Sequence, residues 1–135
     1  MATRYATRVF GTAGVLNVAL GTSGFVAPGL LARVMGIALP ENTLFLNMAL
    51  WLVVVLGLGY WLTAANPERN RDLMLVGAIG KLFVLPIMLV AWRRGDVGGS
   101  GVAAGAVDLV FALLFLDVMR RLSRTDLLAP RMAAG

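Results

Sequence analysis

Lys81 is the only lysine of the chain, and it stands inside LMLVGAIGKLFVLPIMLV, Leu73 to Val90, a run of eighteen residues that are otherwise nearly all apolar. The eleven arginines, by contrast, sit near the ends of apolar runs or between them. Asp108 is placed in the same way inside a second long apolar run, and Asn17 and Asn47 interrupt two others. An amine and a carboxylate in such surroundings can form an ion pair, hold an anionic or quinone headgroup, or relay a proton. A charged side chain at the centre of a bilayer costs at least ~2.5–3.5 kcal/mol on insertion scales. Lys81 must therefore snorkel, deprotonate or find an anion. The expectation is a Lys81–Asp108 pair, with Asn17 and also Asn47 hydrogen-bonding to it.

The elements that position these residues follow from composition. The 135 residues allow one domain, and they are 59% apolar and only 14% charged, with a mean hydropathy of +0.84. Soluble domains are about 25% charged. This composition cannot cover an aqueous surface, and the lipid bilayer is the expected solvent. The net charge of +5 is carried by arginines between apolar runs. It reads as topology information and anionic-lipid contact rather than as a nucleic-acid face. With no cysteine and no histidine, disulfide relays and metal or haem sites built on thiolate or imidazole are excluded. Redox chemistry would have to come from a non-covalent quinone, a flavin or a partner.

Four stretches reach the roughly 20 apolar residues that a spanning helix needs: 5–27, 43–64, 71–92 and 99–119. An all-α four-helix membrane bundle is expected, followed by a basic tail over 120–135 that rests on anionic headgroups. Asn42-Thr43 can cap the second helix and Asn66-Pro67 can open the third. Arg4 and Arg8 ahead of an apolar run resemble a signal peptide, but no clear small-x-small cleavage site follows and Asn17 and several glycines interrupt the run; the first span is read as a retained helix. Pro28 to Pro40 reads equally as an interfacial half-helix or as an ordered loop. Arg4, Arg8, Arg69, Arg71, Arg120, Arg121, Arg124 and Arg131 face one side, and Arg33, Arg93 and Arg94 the other. This imbalance predicts cytoplasmic termini and a multi-pass protein of the cytoplasmic (inner) membrane. Tyr60 and Trp61 then read as markers of the inner interface and Trp92 of the outer one.

At about 1.5 Å per residue, Lys81, Asp108 and Asn17 all come within reach of the midplane of a core about 30 Å thick. Asn47 falls some two turns further out. Steps of three and four put Lys81 on one face with Met74 and Gly77, Asp108 with Gly101, Gly105, Ala112 and Phe115, and Asn17 with Gly14, Gly21 and Gly24. Small residues let membrane helices approach closely, so these faces are expected to point inward. Pro86 is expected to kink the third helix one turn beyond Lys81. Asp117, with Arg120 and Arg121 three and four residues on, reads as an interfacial salt bridge. Two readings of the Lys81–Asp108 pair stay open: a structural pair that fixes helix register, and a polar pocket for a ligand or proton.

Length, four spans, Arg8 opening the first helix and Gly80-Lys81 in the third together resemble the DoxX-like group of small four-helix bacterial membrane proteins. The turn ANPERNRD and the fourth-helix acid Asp108 are similar to features of that group. The resemblance implies the fold and a place as accessory subunit of a membrane redox complex; it transfers no catalytic residue. Small multidrug transporters carry a glutamate in the first helix where this chain has Asn17. Membrane thiol oxidoreductases need cysteine pairs that are absent.

The leading expectation is a non-catalytic accessory or scaffold subunit, working with other membrane subunits or as a homo-oligomer. The alternative is a small transporter or a lipid- or quinone-binding protein using Lys81 and Asp108. Acid–base catalysis is the weakest reading, because no nucleophile with a positioned base is evident.

Overall fold

Backbone hydrogen bonds have no competing water in a bilayer, so each apolar run must satisfy them within itself, as a helix. The computed structural model describes residues 2–132, with side chains described through Arg124. Among the described residues it is all-helical: α1 (Ala2–Val26), α2 (Pro28–Met35), α3 (Leu44–Ala65), α4 (Arg71–Leu82), α5 (Val84–Arg94) and α6 (Gly99–Met132). Four helical stretches, Ala2–Val26, Leu44–Ala65, Arg71–Arg94 and Gly99–Arg124, are long and apolar enough to cross a membrane. The chain is thus built as a multi-pass membrane protein. Its last helix does not stop at 119 but continues through 120–132. Arg131 and the headgroup contacts expected of the tail lie outside the described side chains.

The helix ends have local causes. Asn42, one residue before the N-cap Thr43, accepts a hydrogen bond from the Leu44 N–H at 2.9 Å and so satisfies the first N–H of α3. Asn66 closes α3 with its own N–H on the Leu62 carbonyl, and its Oδ1 accepts from Arg69 N–H at 3.3 Å. It therefore organises the 67–70 turn instead of starting the third helix directly, and α4 begins only at Arg71. The segment after α1 is part helix and part loop: it is helical over Pro28–Met35, non-helical from 36 to 43, and its helical part packs on α1 and α6. That helix, α2, stops at Gly36, whose φ of +66° is the left-handed conformation glycine tolerates best. A side chain at Gly36 would also lie 2.7 Å from the Gly98 Cα, where α2 is pinned to the turn before α6.

The helices form a ring in which α1 packs on α3, α3 on α4, α4 and α5 on α6, and α6 back on α1. Two sides of the ring are tight. On the α1–α3 side, a Cβ at Gly14 would meet the Gly57 carbonyl at 2.9 Å, one at Gly57 would meet the Gly14 carbonyl at 3.0 Å, and one at Gly21 would meet the Leu50 carbonyl at 2.8 Å. On the α5–α6 side, Gly105 lets the Leu85 backbone approach. These close approaches are what small-residue faces provide where no hydrophobic effect drives helices together. The α3–α4 and α1–α6 seams, on opposite sides of the ring, are looser.

The core is lopsided. Ala6, Phe10, Tyr60, Met74, Phe115, Val118 and Leu122 are buried together in the half nearer the N-terminus. Phe10 stacks on Phe115 with ring centroids 4.1 Å apart, and Tyr60 meets Phe115 edge-on at 5.1 Å. In the other half the third span is broken at Phe83. Pro86 explains the break: it has no N–H for the Leu82 carbonyl, and its ring crowds that carbonyl. Beyond the break α5 packs on α4 and α6 but not on α3, and it buries no residue. The helix is interrupted where the proline predicts, and beyond the interruption α3 and α5 do not close the ring.

Candidate functional site

Lys81 is the last buried residue before the break. Its Nζ donates to Asp108 Oδ1 of α6 and to Asn17 Oδ1 of α1 at 3.1 Å. Asn17 Nδ2 in turn donates to the Val53 carbonyl of α3 at 3.4 Å. One chain of polar contacts thus links all four sides of the ring. The Tyr60 and Phe111 rings each lie with their centroids 5.7 Å from Nζ, close enough for cation–π attraction. No buried side-chain nitrogen or oxygen among the described residues lacks a hydrogen-bond partner.

Helix direction explains how residues from different depths converge. Side chains lean toward the N-terminus of their own helix. Lys81 on α4 and Tyr60 on the antiparallel α3 therefore lean toward each other. Tyr60 reads as an interfacial ring from its type and the arginine pattern; it is instead only 3% exposed, in the core beside Lys81. The signal available in the sequence was the stripe Gly57, Tyr60 and Ala64, which is buried along one face of α3. Trp61 is partly exposed and bonds the Gly11 carbonyl at 3.3 Å.

Asn47 does not join the cluster. It is exposed and lines neither of the cavities described below. Six residues, about 9 Å of helix rise, separate it from Val53, the level at which Asn17 binds α3. Asp117 bonds Arg121 at 2.7 Å, as its spacing implies, and the Arg121 guanidinium lies 5.1 Å from the Tyr5 ring centroid. This second polar cluster ties the start of α1 to α6 well away from Lys81.

Two cavities share the polar cluster as a common wall. One, of about 240 Å³, lies on the α3–α4 seam between Leu56, Tyr60, Val76, Gly80 and Val84, with Asn17, Lys81 and Asp108 at its back. The other, of about 250 Å³, lies on the α1–α6 seam beside Ala13, Leu16, Ala104, Val107 and Phe111, against the same three residues. The seam residues Leu16, Leu56, Val76 and Val107 are exposed on the outer surface of the bundle. Apolar side chains thus lead from the lipid-facing surface inward to the ion pair. The side chains of Lys81 and Asp108 are 9% and 28% exposed, respectively. The carboxylate is the open member of the pair.

No group of three or more acidic, histidine or cysteine residues among the described residues could hold a metal ion. The chain matches no protein-family model, no curated protein and no solved structure.

Proposed function

We propose that this protein is a non-catalytic membrane protein that binds a lipid-soluble molecule entering sideways from the bilayer, with the polar end of the ligand at Lys81, Asp108 and Asn17. The supporting observation is the part-open Asp108 carboxylate at the back of two apolar cavities. A charge in the membrane interior is costly. A pair kept only for packing would be closed over on both sides, as the aromatic core below it is. Ligands of the lipid or quinone type fit this geometry, because an apolar body can lie in a seam while its headgroup reaches the pair. The test is mass spectrometry of organic extracts from protein purified in native bilayer patches. The wild type should carry a small lipid-soluble molecule that a Lys81→Met/Asp108→Asn double variant loses. Identical extracts would overturn the reading.

A place as accessory subunit is the second reading, in keeping with the likeness to DoxX-like proteins. The observation favouring it is α5, which buries no residue and is left by α3 with an open flank. A neighbouring membrane subunit could pack there.

The arginine asymmetry supports cytoplasmic termini in an inner membrane. The chain lacks cysteine, so single-cysteine labelling is clean. A membrane-impermeant maleimide should label Ser100→Cys in intact cells and leave Glu68→Cys unlabelled. The reverse pattern would invert the topology.

A further inference from the structure

The α3–α4 cavity and the α1–α6 cavity share Asn17, Lys81 and Asp108, but only the first is also lined by Tyr60. The two therefore differ in what they can offer a ligand. We infer that the α3–α4 cavity receives a neutral amphiphile bearing a hydroxyl group, which accepts from Tyr60 and donates to Asp108 while its apolar chain lies along the seam. The inference rests on the binding reading above and narrows it to one seam and one headgroup class.

Charge is the first ground. Lys81 and Asp108 are the only charged residues lining either cavity, and they neutralise each other. A headgroup carrying a full charge would bring an uncompensated charge into an apolar surround, which is strongly disfavoured.

Hydrogen-bond capacity is the second. Two of the three Lys81 ammonium donors are used, on Asn17 and Asp108. Asn17 is engaged through both its oxygen and its nitrogen. Among the described residues the Asp108 Oδ2 accepts no hydrogen bond and the Tyr60 hydroxyl makes none; Tyr60 as a whole is only 3% exposed, but its hydroxyl borders the cavity and is not sealed in the core. That hydroxyl faces the cavity wall at Gly77, where a Cβ would lie 3.1 Å from it. Both cavities share the third Lys81 donor and the Asp108 Oδ2 acceptor, and the α3–α4 cavity alone adds the unused Tyr60 hydroxyl. A ligand hydroxyl is itself both donor and acceptor and can meet Tyr60 and Asp108 together. An ether or ester oxygen only accepts and would leave Asp108 Oδ2 against hydrocarbon.

Size is the third. About 240 Å³ is below the roughly 300–1,000 Å³ of sites that enclose a whole drug-sized ligand. It suits a headgroup and the first carbons of a chain, with the remainder passing Val76 and Val84 into the bilayer. In the other cavity the Phe111 ring supplies no donor.

The test compares oleyl alcohol, oleyl sulfate and oleyltrimethylammonium, which share one chain and differ in headgroup, binding to the full chain in phosphatidylcholine nanodiscs. Oleyl alcohol should bind tightest. Tyr60→Phe, which keeps the ring and its packing, should weaken it roughly tenfold, the order expected for one buried hydrogen bond. Val76→Trp should block it, whereas Leu16→Trp, on the other seam, should not; both positions are exposed and tolerate bulk. Tighter binding of either charged probe, still blocked by Val76→Trp, would overturn the neutral-hydroxyl inference and leave the binding reading standing. Alcohol binding blocked by Val76→Trp yet indifferent to Tyr60→Phe would overturn the role of Tyr60. Equal uptake of all three probes, insensitive to every substitution, would overturn both.

Discussion

Asp108→Asn destabilises the protein by about 3–5 kcal/mol, the loss expected when one member of a buried ion pair is removed and the other stays behind. Lys81→Met costs less. The asymmetry comes from exposure: Lys81 is 9% exposed and Asp108 28%, so a stranded ammonium is deeper in the protein than a stranded carboxylate. Asn17 and the two aromatic rings cannot replace a full negative charge beside the stranded lysine. The Lys81→Met/Asp108→Asn double variant recovers most of the loss, because no unpaired charge remains. Thermal unfolding in detergent, with all four proteins measured side by side, reads the cycle. A neutral Asp108→Asn would mean that the pair carries no part of the fold and that the aromatic core alone holds the seams. The recovered double variant is also the right control for ligand extraction, since it separates loss of binding from loss of folding.

Gly57→Val is the second large effect, a loss of about 3 kcal/mol. That is the upper end for overpacking, because two of the three nearest atoms a Cβ would meet are backbone, the Gly14 carbonyl and the Val18 nitrogen, each at 3.0 Å. Neither can rotate away, so α1 and α3 must separate. Gly59→Val is the control on the same helix: nothing lies within 4 Å of its Cβ position, and it should stay within about 0.5 kcal/mol of wild type. Valine is a better helix former than glycine, so equal losses at the two positions would mean that the close crossing at Gly57 does not set the cost. Asn17 lies on α1 between Gly14 and Gly21, so forcing the helices apart also moves its Oδ1 away from the 3.1 Å contact with Lys81. Weakened ligand binding should therefore accompany the stability loss at Gly57 and be absent at Gly59.

The sequence by itself determined the solvent, the helices and the members of the ion pair. Apolar runs of spanning length allow only helices in a bilayer, and a lone lysine and a lone mid-span aspartate on glycine-bearing faces have each other as the available opposite charge. Asn17 was legible for the same reason. Asn47, which the rise per residue already puts two turns out, and Tyr60, whose ring type suggests the interface, were misplaced because residue type alone ignores which neighbour is reached and which way the side chain leans. Asn47 has the right type but is exposed and lies six residues from Val53, where Asn17 bonds α3. Tyr60, read as an interfacial ring, is carried into the core because α3 runs antiparallel to α4 and their side chains converge. Pro86 announced a kink, but its direction was a tertiary matter. Only the packing of α5 on α6 and away from α3 turned the broken helix into an open seam beside Lys81. Helix formation and charge pairing are governed by local chain chemistry and by the cost of burial, which composition and spacing carry. The seams and their cavities depend on how four nearly equivalent apolar surfaces choose neighbours, and that choice is made by backbone contacts at a few glycines.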